Sequence, residues 1–246
     1  MILCLTVICM LFAAAAANAA AFDQVMQRWT QHRKFVDNYD GTNLEIFVTY
    51  YSAEYIEAYV QSQAQKNMWT QNETDDYKYK FLGALQLNET IPVQIKFINN
   101  GPSMYLGPFD IMVKLRIGNN LYKPVDYDKR FNFKLQGERE GLVYFPRYDK
   151  KTGKDLLKGA KNISIEISSA VSPILNGKEQ KFFWNVANDD PQKLYVGKTT
   201  ARLETDRLLK RLEKIRADKA GLQKQIDAID SEEKTIQARL DELAKQ

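Results

Sequence analysis

Five short runs between Tyr77 and Val186 set apolar against polar side chains in alternation: Val93–Phe97, Ile111–Ile117, Phe131–Leu135, Ile163–Ile167 and Phe182–Val186. Successive side chains of a strand point to opposite faces, so each run carries one greasy face that has to be buried. Several such faces find cover together only against a second sheet. The pattern therefore predicts an α+β chain built mainly on an antiparallel β-sandwich over residues 77–187.

The chain has 246 residues, room for one domain of ordinary size with accessory helices. Apolar residues at 44% and aromatics at 11% supply a core. Thirty-five Lys and Arg against 31 Asp and Glu leave a net charge of +4. That balanced surface makes no case for nucleic-acid binding. Residues 1–12 are uncharged and almost wholly apolar, and an Ala-rich run follows through Ala17-Asn18-Ala19. A short apolar core ending in an A-x-A site reads as a secretory signal peptide over 1–20, cut near Ala19 or Ala20. No Lys or Arg precedes that core. The alternative is a retained anchor, since the 22 uncharged residues just span a bilayer. Both cysteines, Cys4 and Cys9, lie in this leader. The mature chain then has no disulfide, no zinc-thiolate site, no cysteine nucleophile and no transmembrane segment. Its expected location is the bacterial periplasm or the exterior.

Downstream of the leader, Phe22, Val25, Met26, Trp29 and Val36 predict an amphipathic helix over 21–36, with His32 on its exposed face. Leu44 to Tyr51 alternates as a strand, and Ser52 is placed to N-cap a helix from Ala53 to Met68. Thr70 to Asp76 reads as a polar loop, after which Tyr77 to Leu87 opens the sheet region. Residues 21–76 thus form flanking elements packed on the sandwich. Tyr50, Tyr51, Tyr55 and Tyr59 concentrate aromatic surface at the strand–helix junction. They are either a ligand-facing stacking surface for a sugar or peptide, or the packed side of a helix at the sheet edge. Gly118-Asn119-Asn120 marks a hairpin turn, because Gly and Asn tolerate positive φ. The strands total seven or eight, the number a sandwich needs.

The succession of a strand ending in Ile98-Asn99-Asn100-Gly101, a hairpin over Ile111–Tyr122, Phe131-Asn132-Phe133 and Gly141-Leu142-Val143-Tyr144-Phe145-Pro146 resembles bacterial secreted immunoglobulin-like domains of the telokin-like group. The resemblance covers roughly residues 91–186. It implies an immunoglobulin-like sandwich on a cell-envelope protein and brings no catalytic residues.

After a polar linker over 188–198, residues 199–246 read as one long helix. Leu208, Ile215, Leu222, Ile229, Ile236 and Leu243 fall at heptad position d, and Leu212, Ile226 and Leu240 at a. Six successive heptads in one frame predict a coiled coil, a rod of roughly 65–70 Å. Thr205, Lys219 and Glu233 occupy the intervening a positions, where polar residues lower stability and specify register or partner. Residues 201–224 hold eight basic and four acidic side chains, whereas 225–246 hold three and six. In a parallel homodimer Arg211 and Arg216 repel across the seam. Antiparallel or heterotypic pairing is favoured, and the expected partner is another protein or a second copy.

Catalytic machinery is sparse. His32 is the single histidine, so no His-pair zinc motif exists. No Gly-x-Ser-x-Gly elbow accompanies it. Gly197-Lys198-Thr199 mimics the end of a phosphate loop, but Gln192 stands where its first glycine belongs. Loop carboxylates (Asp75, Asp76, Asp126, Asp128, Asp149) offer material for a glycosidase without selecting a pair. The expectation is a non-enzymatic protein without cofactor or metal: a binding head on a coiled-coil oligomerisation or docking helix. An envelope glycan-binding module or a carboxylate-dependent glycan hydrolase is the alternative.

Overall fold

The computed structural model describes residues 21–195 and 198–244. The signal peptide expected over 1–20, with Cys4, Cys9 and the A-x-A site, lies outside the described residues, as do Val196, Gly197 and the last two positions. The chain is α+β, with two antiparallel sheets and a C-terminal helix. It divides into two units at Thr199/Thr200.

In the first unit, α1 (residues 21–29) leads straight into β1 (Thr30–Val36). Next come β2 (Asn43–Tyr50), α2 (Ala53–Asn67), α3 (Gln71–Leu85) and the long β3 (Thr90–Tyr105). A four-residue helix α4 (Phe109–Met112) precedes β4 (Val113–Ile117), β5 (Asn120–Tyr122) and β6 (Asp126–Tyr127). The strands β7 (Lys134–Pro146), β8 (Asn162–Ile167) and β9 (Gln180–Asn185) complete the sheets. One sheet has the order β1-β2-β3-β7-β6 and the other β5-β4-β8-β9. Their apolar faces share one core. Leu44, Ile46 and Val48 of β2 join Ile91 to Phe97 of β3 and Val143 and Phe145 of β7. From the second sheet come Val113 and Leu115, Ile163, Ile165 and Ile167, and Phe182 and Trp184. Each fully buried side chain of this size contributes about 1.5–3 kcal/mol. At one end Phe109 stacks on Phe131 with ring centroids 4.4 Å apart, and Phe97 meets Phe131 edge-on at 6.0 Å.

The two sheets are also stitched along one side. The Gln31 side-chain amide on β1 donates to the Phe183 carbonyl and accepts from the Phe183 N–H at 3.3 Å, so it imitates a neighbouring strand. Arg33 reaches the Lys181 carbonyl at 2.6 Å and Gln180 Oε1 at 3.0 Å. The free edge of β9 is thereby occupied by side chains rather than left as a pairing template.

Several local expectations are corrected. The helix expected over 21–36 stops at residue 29; residues Thr30–Val36 instead pair with β2 through seven register positions. A ladder of main-chain hydrogen bonds outweighs a helical spacing that only Phe22, Val25, Met26 and Trp29 carried. His32 accordingly lies on a strand, stacked on Phe47 at 4.0 Å and 2.9 Å from Glu45. The loop expected over 70–76 and the strand opening at 77 are together α3. Thr70 and Glu73 form a reciprocal capping box that starts it, and Leu82 and Leu85 are its buried anchors. The strand expected over Phe131–Leu135 begins only at Lys134. Asp128 caps a 3₁₀ turn over Lys129–Asn132, which buries Phe131 and leaves Phe133 66% exposed. Likewise the first two residues of the Ile111–Ile117 run belong to α4. The linker expected over 188–198 carries a 3₁₀ turn at Pro191–Leu194, and Leu194 is buried. By contrast, Ser52 N-caps α2 as expected, accepting from the Tyr55 N–H at 3.0 Å.

The second unit begins inside the first turn of the helix α5 (Lys198–Leu243), 46 residues long, and contains the rest of it. No helix among the described residues is long and apolar enough to cross a membrane.

Candidate functional site

The four tyrosines do not form one surface. Tyr50 is the last residue of β2 and Tyr51 follows it, so alternation sends the two rings to opposite sides. Tyr50 enters the sheet core at 2% exposure, and its hydroxyl donates to Asp189 Oδ2 at 2.7 Å. Tyr51, Tyr55 and Tyr59 turn to the α2–α3 seam instead. Tyr51 meets Tyr55 edge-on at 5.1 Å, Tyr55 stacks on Tyr59 at 6.1 Å, and Phe81 of α3 lies 5.1 Å from Tyr59. Tyr77 and Trp69 extend the row at 5.9 Å from Phe81 and 4.7 Å from Tyr77. Tyr51 and Tyr55 are both 7% exposed. Burial drives the Tyr51 hydroxyl far above its usual range and pushes Tyr55 up to about 12. These hydroxyls stay protonated at any physiological pH. The Tyr51 O–H donates to Gln94 Oε1 at 3.2 Å. The row packs α2 against α3, beside the buried Ile56 and Val60 of α2 and Leu82 and Leu85 of α3.

A cavity of about 920 Å³ opens elsewhere, where α1, the start of α2, the end of β9 and residues 188–194 converge. Its apolar walls are Phe22, Val25, Trp29, Ala58, Trp184 and Leu194. Arg28, Glu54, Glu57, Asp189, Asp190 and Lys193 supply the polar part of the lining. The two indoles are locked by their N–H groups: Trp184 donates to the Trp29 carbonyl at 3.0 Å, and Trp29 donates to Glu54 Oε2 at 2.8 Å. Arg28 holds the same carboxylate at 2.9 and 3.2 Å. Glu57 is paired with Lys78 at 2.5 Å.

Asp189 braces one side of this cavity. Its carboxylate accepts from Tyr50 and, at 2.8 Å, from the Ala53 N–H in the first turn of α2. A carboxylate 136 positions downstream thus supplements the Ser52 cap on the same helix start, where unpaired N–H groups and the helix dipole favour negative charge. Burial nevertheless raises its pKa above the usual aspartate value, outweighing the two hydrogen bonds that lower it. The arrangement offers an aromatic slot with a charged rim, suited to an apolar or sugar-like face. Sequence reasoning missed it. Its two tryptophans stand 155 positions apart, and no local spacing ties them.

A second buried polar cluster lies on the outer face of the second sheet. Glu166 of β8 is 3% exposed and receives Arg116 Nε at 2.5 Å, Arg116 Nη2 at 3.1 Å and Lys181 Nζ at 3.0 Å. Those cations hold its carboxyl below the usual glutamate range. Among the described residues no group of three or more His, Cys, Asp and Glu is placed to hold a metal ion.

The stripe of α5 is an exposed apolar surface of a different kind. Leu208, Leu212, Ile215, Leu222, Ile226, Ile229, Ile236, Leu240 and Leu243 each leave between 43% and 64% of their surface to water. Leu209, beside Leu208, is 53% exposed. Thr205, Lys219 and Glu233 at the intervening a positions are exposed as well. Comparison with protein-family models, curated proteins and solved structures finds no match, so the geometry of the cavity and of the stripe has to carry the functional reading.

Proposed function

We propose that this chain is a non-catalytic, exported cell-envelope protein, in which an immunoglobulin-like β-sandwich binding head is joined to a coiled-coil helix that oligomerises or docks. The observation that carries this reading is the stripe of α5. Nine Leu and Ile residues at a and d positions keep about half their surface in water along one helix. Soluble monomers rarely leave a continuous apolar surface of that length uncovered. Two antiparallel sheets over one core support the immunoglobulin-like reading of the head, with α2 and α3 as an insertion between β2 and β3. The apolar leader with Ala17-Asn18-Ala19 and the absence of cysteine after Cys9 support export to the periplasm. Light scattering on the mature chain, with and without residues 201–246, tests the core of the proposal. The full chain should be an oligomer and the shortened one a monomer; equal assembly of the two would remove the helix from its assigned role.

A second reading, a glycan-binding module or a carboxylate-dependent glycan hydrolase, has one observation in its favour. The 920 Å³ cavity sets Trp29 and Trp184 beside Glu54, Glu57, Asp189 and Asp190. Aromatic faces with nearby carboxylates suit pyranose rings. Titration of the chain with a panel of envelope glycan fragments, followed by tryptophan fluorescence, should then give saturable changes that Trp29→Ala abolishes. A flat response across the panel rules this reading out.

A further inference from the structure

We propose that α5 pairs with α5 of a second copy in antiparallel orientation, in the register that sets Leu222 against Ile226 of the second copy. The inference rests on the coiled-coil reading above and supplies what that reading leaves open: the partner, the direction and the register.

The interruptions of the stripe, not its apolar members, set direction and register. Every second a position is polar: Lys219 and Glu233 alternate with Leu212, Ile226 and Leu240. In a parallel homodimer, a packs on a. Lys219 then meets Lys219 and Glu233 meets Glu233, each pair partly removed from water, and Arg211 faces Arg216 on the flank. A second copy is thus a poor parallel partner for itself.

In the antiparallel arrangement, a packs on d of the other helix. With Leu222 against Ile226, Leu212 falls against Ile236 and Leu208 against Leu240 of the second copy, so each apolar a residue meets an apolar d. Lys219 falls against Ile229 and Glu233 against Ile215, in adjoining layers. Arg216, the residue after Ile215, lies on the same flank as Lys219; Asp230, after Ile229, lies on the same flank as Glu233. The heptad repeats this e-and-a pair after two turns of the pattern with its sign reversed: Arg216 and Lys219 in one half, Asp230 and Glu233 in the other. Antiparallel pairing brings the basic pair of each copy onto the acidic pair of the other, twice by symmetry.

Sliding by one heptad breaks the match in either direction. One way, Lys219 faces Leu222 and the two Lys219 side chains enter neighbouring layers. The other way, Arg216 and Lys219 face Gln237 and Ile236, and the acidic pair loses its cations. The chosen register has one unfavourable flank, where Arg211 approaches Arg239 and Asp218 approaches Glu232. Those are outer g positions, screened by water and salt, and Arg239 already has Glu242 at 2.7 Å on its own helix. Charges at a, partly desolvated in the seam, weigh more.

Charge reversal in the full chain tests this by sedimentation equilibrium. Arg216→Glu with Lys219→Glu makes both halves acidic; Asp230→Lys with Glu233→Lys makes both basic. Each pair of substitutions should weaken the dimer by about tenfold or more, and combining all four should restore it to within about threefold of wild type. Dimers unaffected by either pair would overturn the antiparallel orientation, because parallel pairing exchanges one like-charge contact for another. Weakening without rescue by the four-fold variant would overturn the register. In both of those cases, loss of assembly on removing residues 201–246 would leave the broader proposal standing. A wild-type chain that is monomeric at every concentration overturns both.

Discussion

The buried carboxylate of Glu166 permits a quantitative test of the head. On the outer face of the second sheet it lies between Lys114 and Lys181 in register, with Arg116 on the diagonal. Glu166→Gln keeps the shape and removes the charge. Hydrogen bonds to charged groups contribute about 1.5–3 kcal/mol, and breaking a buried pair costs about 3–5 kcal/mol when the orphaned partner stays buried. Here Arg116 and Lys181 keep 34% and 41% of their side-chain surface in water. The released cations rehydrate, and the loss falls to the lower range, about 2 kcal/mol. For a unit of this size that lowers Tm by roughly 4–8 °C. The pH dependence has a definite sign. A glutamate whose folded pKa is depressed adds stability above its unfolded value, and that stability is lost as pH falls through the folded value. Urea denaturation of both proteins at about pH 7 and about pH 3 should therefore show a gap at neutral pH that narrows in acid. A gap below about 0.5 kcal/mol at neutral pH, or one that acid leaves unchanged, would refute the assignment of this cluster as a stabilising charge network.

Three further outcomes follow from single contacts. Ser52→Ala removes the acceptor for the Tyr55 N–H and should cost about 1 kcal/mol in chemical denaturation, less than a complete uncapping because Asp189 holds the neighbouring Ala53 N–H. At Gly141 an added Cβ would stand 2.6 Å from Asp128 Cβ and 2.9 Å from its Oδ2; Gly141→Ala should displace the cap of the 3₁₀ turn and cost about 1–3 kcal/mol, seen as a lower urea midpoint with an unchanged slope. Asp189 carries the opposite pH signature to Glu166: its raised folded pKa withdraws stability as pH rises from the ordinary aspartate value through the higher folded one. Tyr50→Phe, which takes away a donor to the ionised form, should move the Asp189 titration observed by carboxyl NMR still higher, and a shift downward would contradict the bond.

Alternation was a sound guide where both neighbours of a strand are strands. Val93–Phe97 and Ile163–Ile167 sit inside their sheets, and their apolar residues face the core as the period of two requires. It failed at sheet margins. Residues Thr30–Val36 lack an apolar period of two, and their strand exists because β2 offers a ladder. Phe131 and Phe133 share a period of two, yet only Phe131 is buried, because Asp128 closes a local turn before the strand starts. The start of α3 is legible in the sequence: Thr70-Gln71-Asn72-Glu73 has the form of a capping box, although its polar residues also fit a loop. The cavity had no such signal. It is assembled by Asp189, Ala53 and Tyr50, and by a tryptophan from near each end of the first unit, and such long-range contacts leave no spacing to read.

Those margins bear on where assembly can occur. Two open sheets have four edges at which another copy can add a strand. The edge of β9 is taken by the Gln31 amide, and Arg33 on β1 spans the same gap. At the far ends, β5 has three residues and β6 two; β6 covers only Val143 and Tyr144 of β7, and beyond it the Leu142 and Glu140 carbonyls are occupied by the Asp128 N–H and by Arg130. Long apolar surface open to water is left instead on α5, where nine heptad residues stay about half exposed. Occupied edges on the first unit and an exposed stripe on the helix both support the proposed assembly through α5 over self-association by strand addition. Removing the helix should therefore leave no residual strand-mediated oligomer, and freeing the edge of β9 with Gln31→Ala and Arg33→Ala together should be the change that creates one.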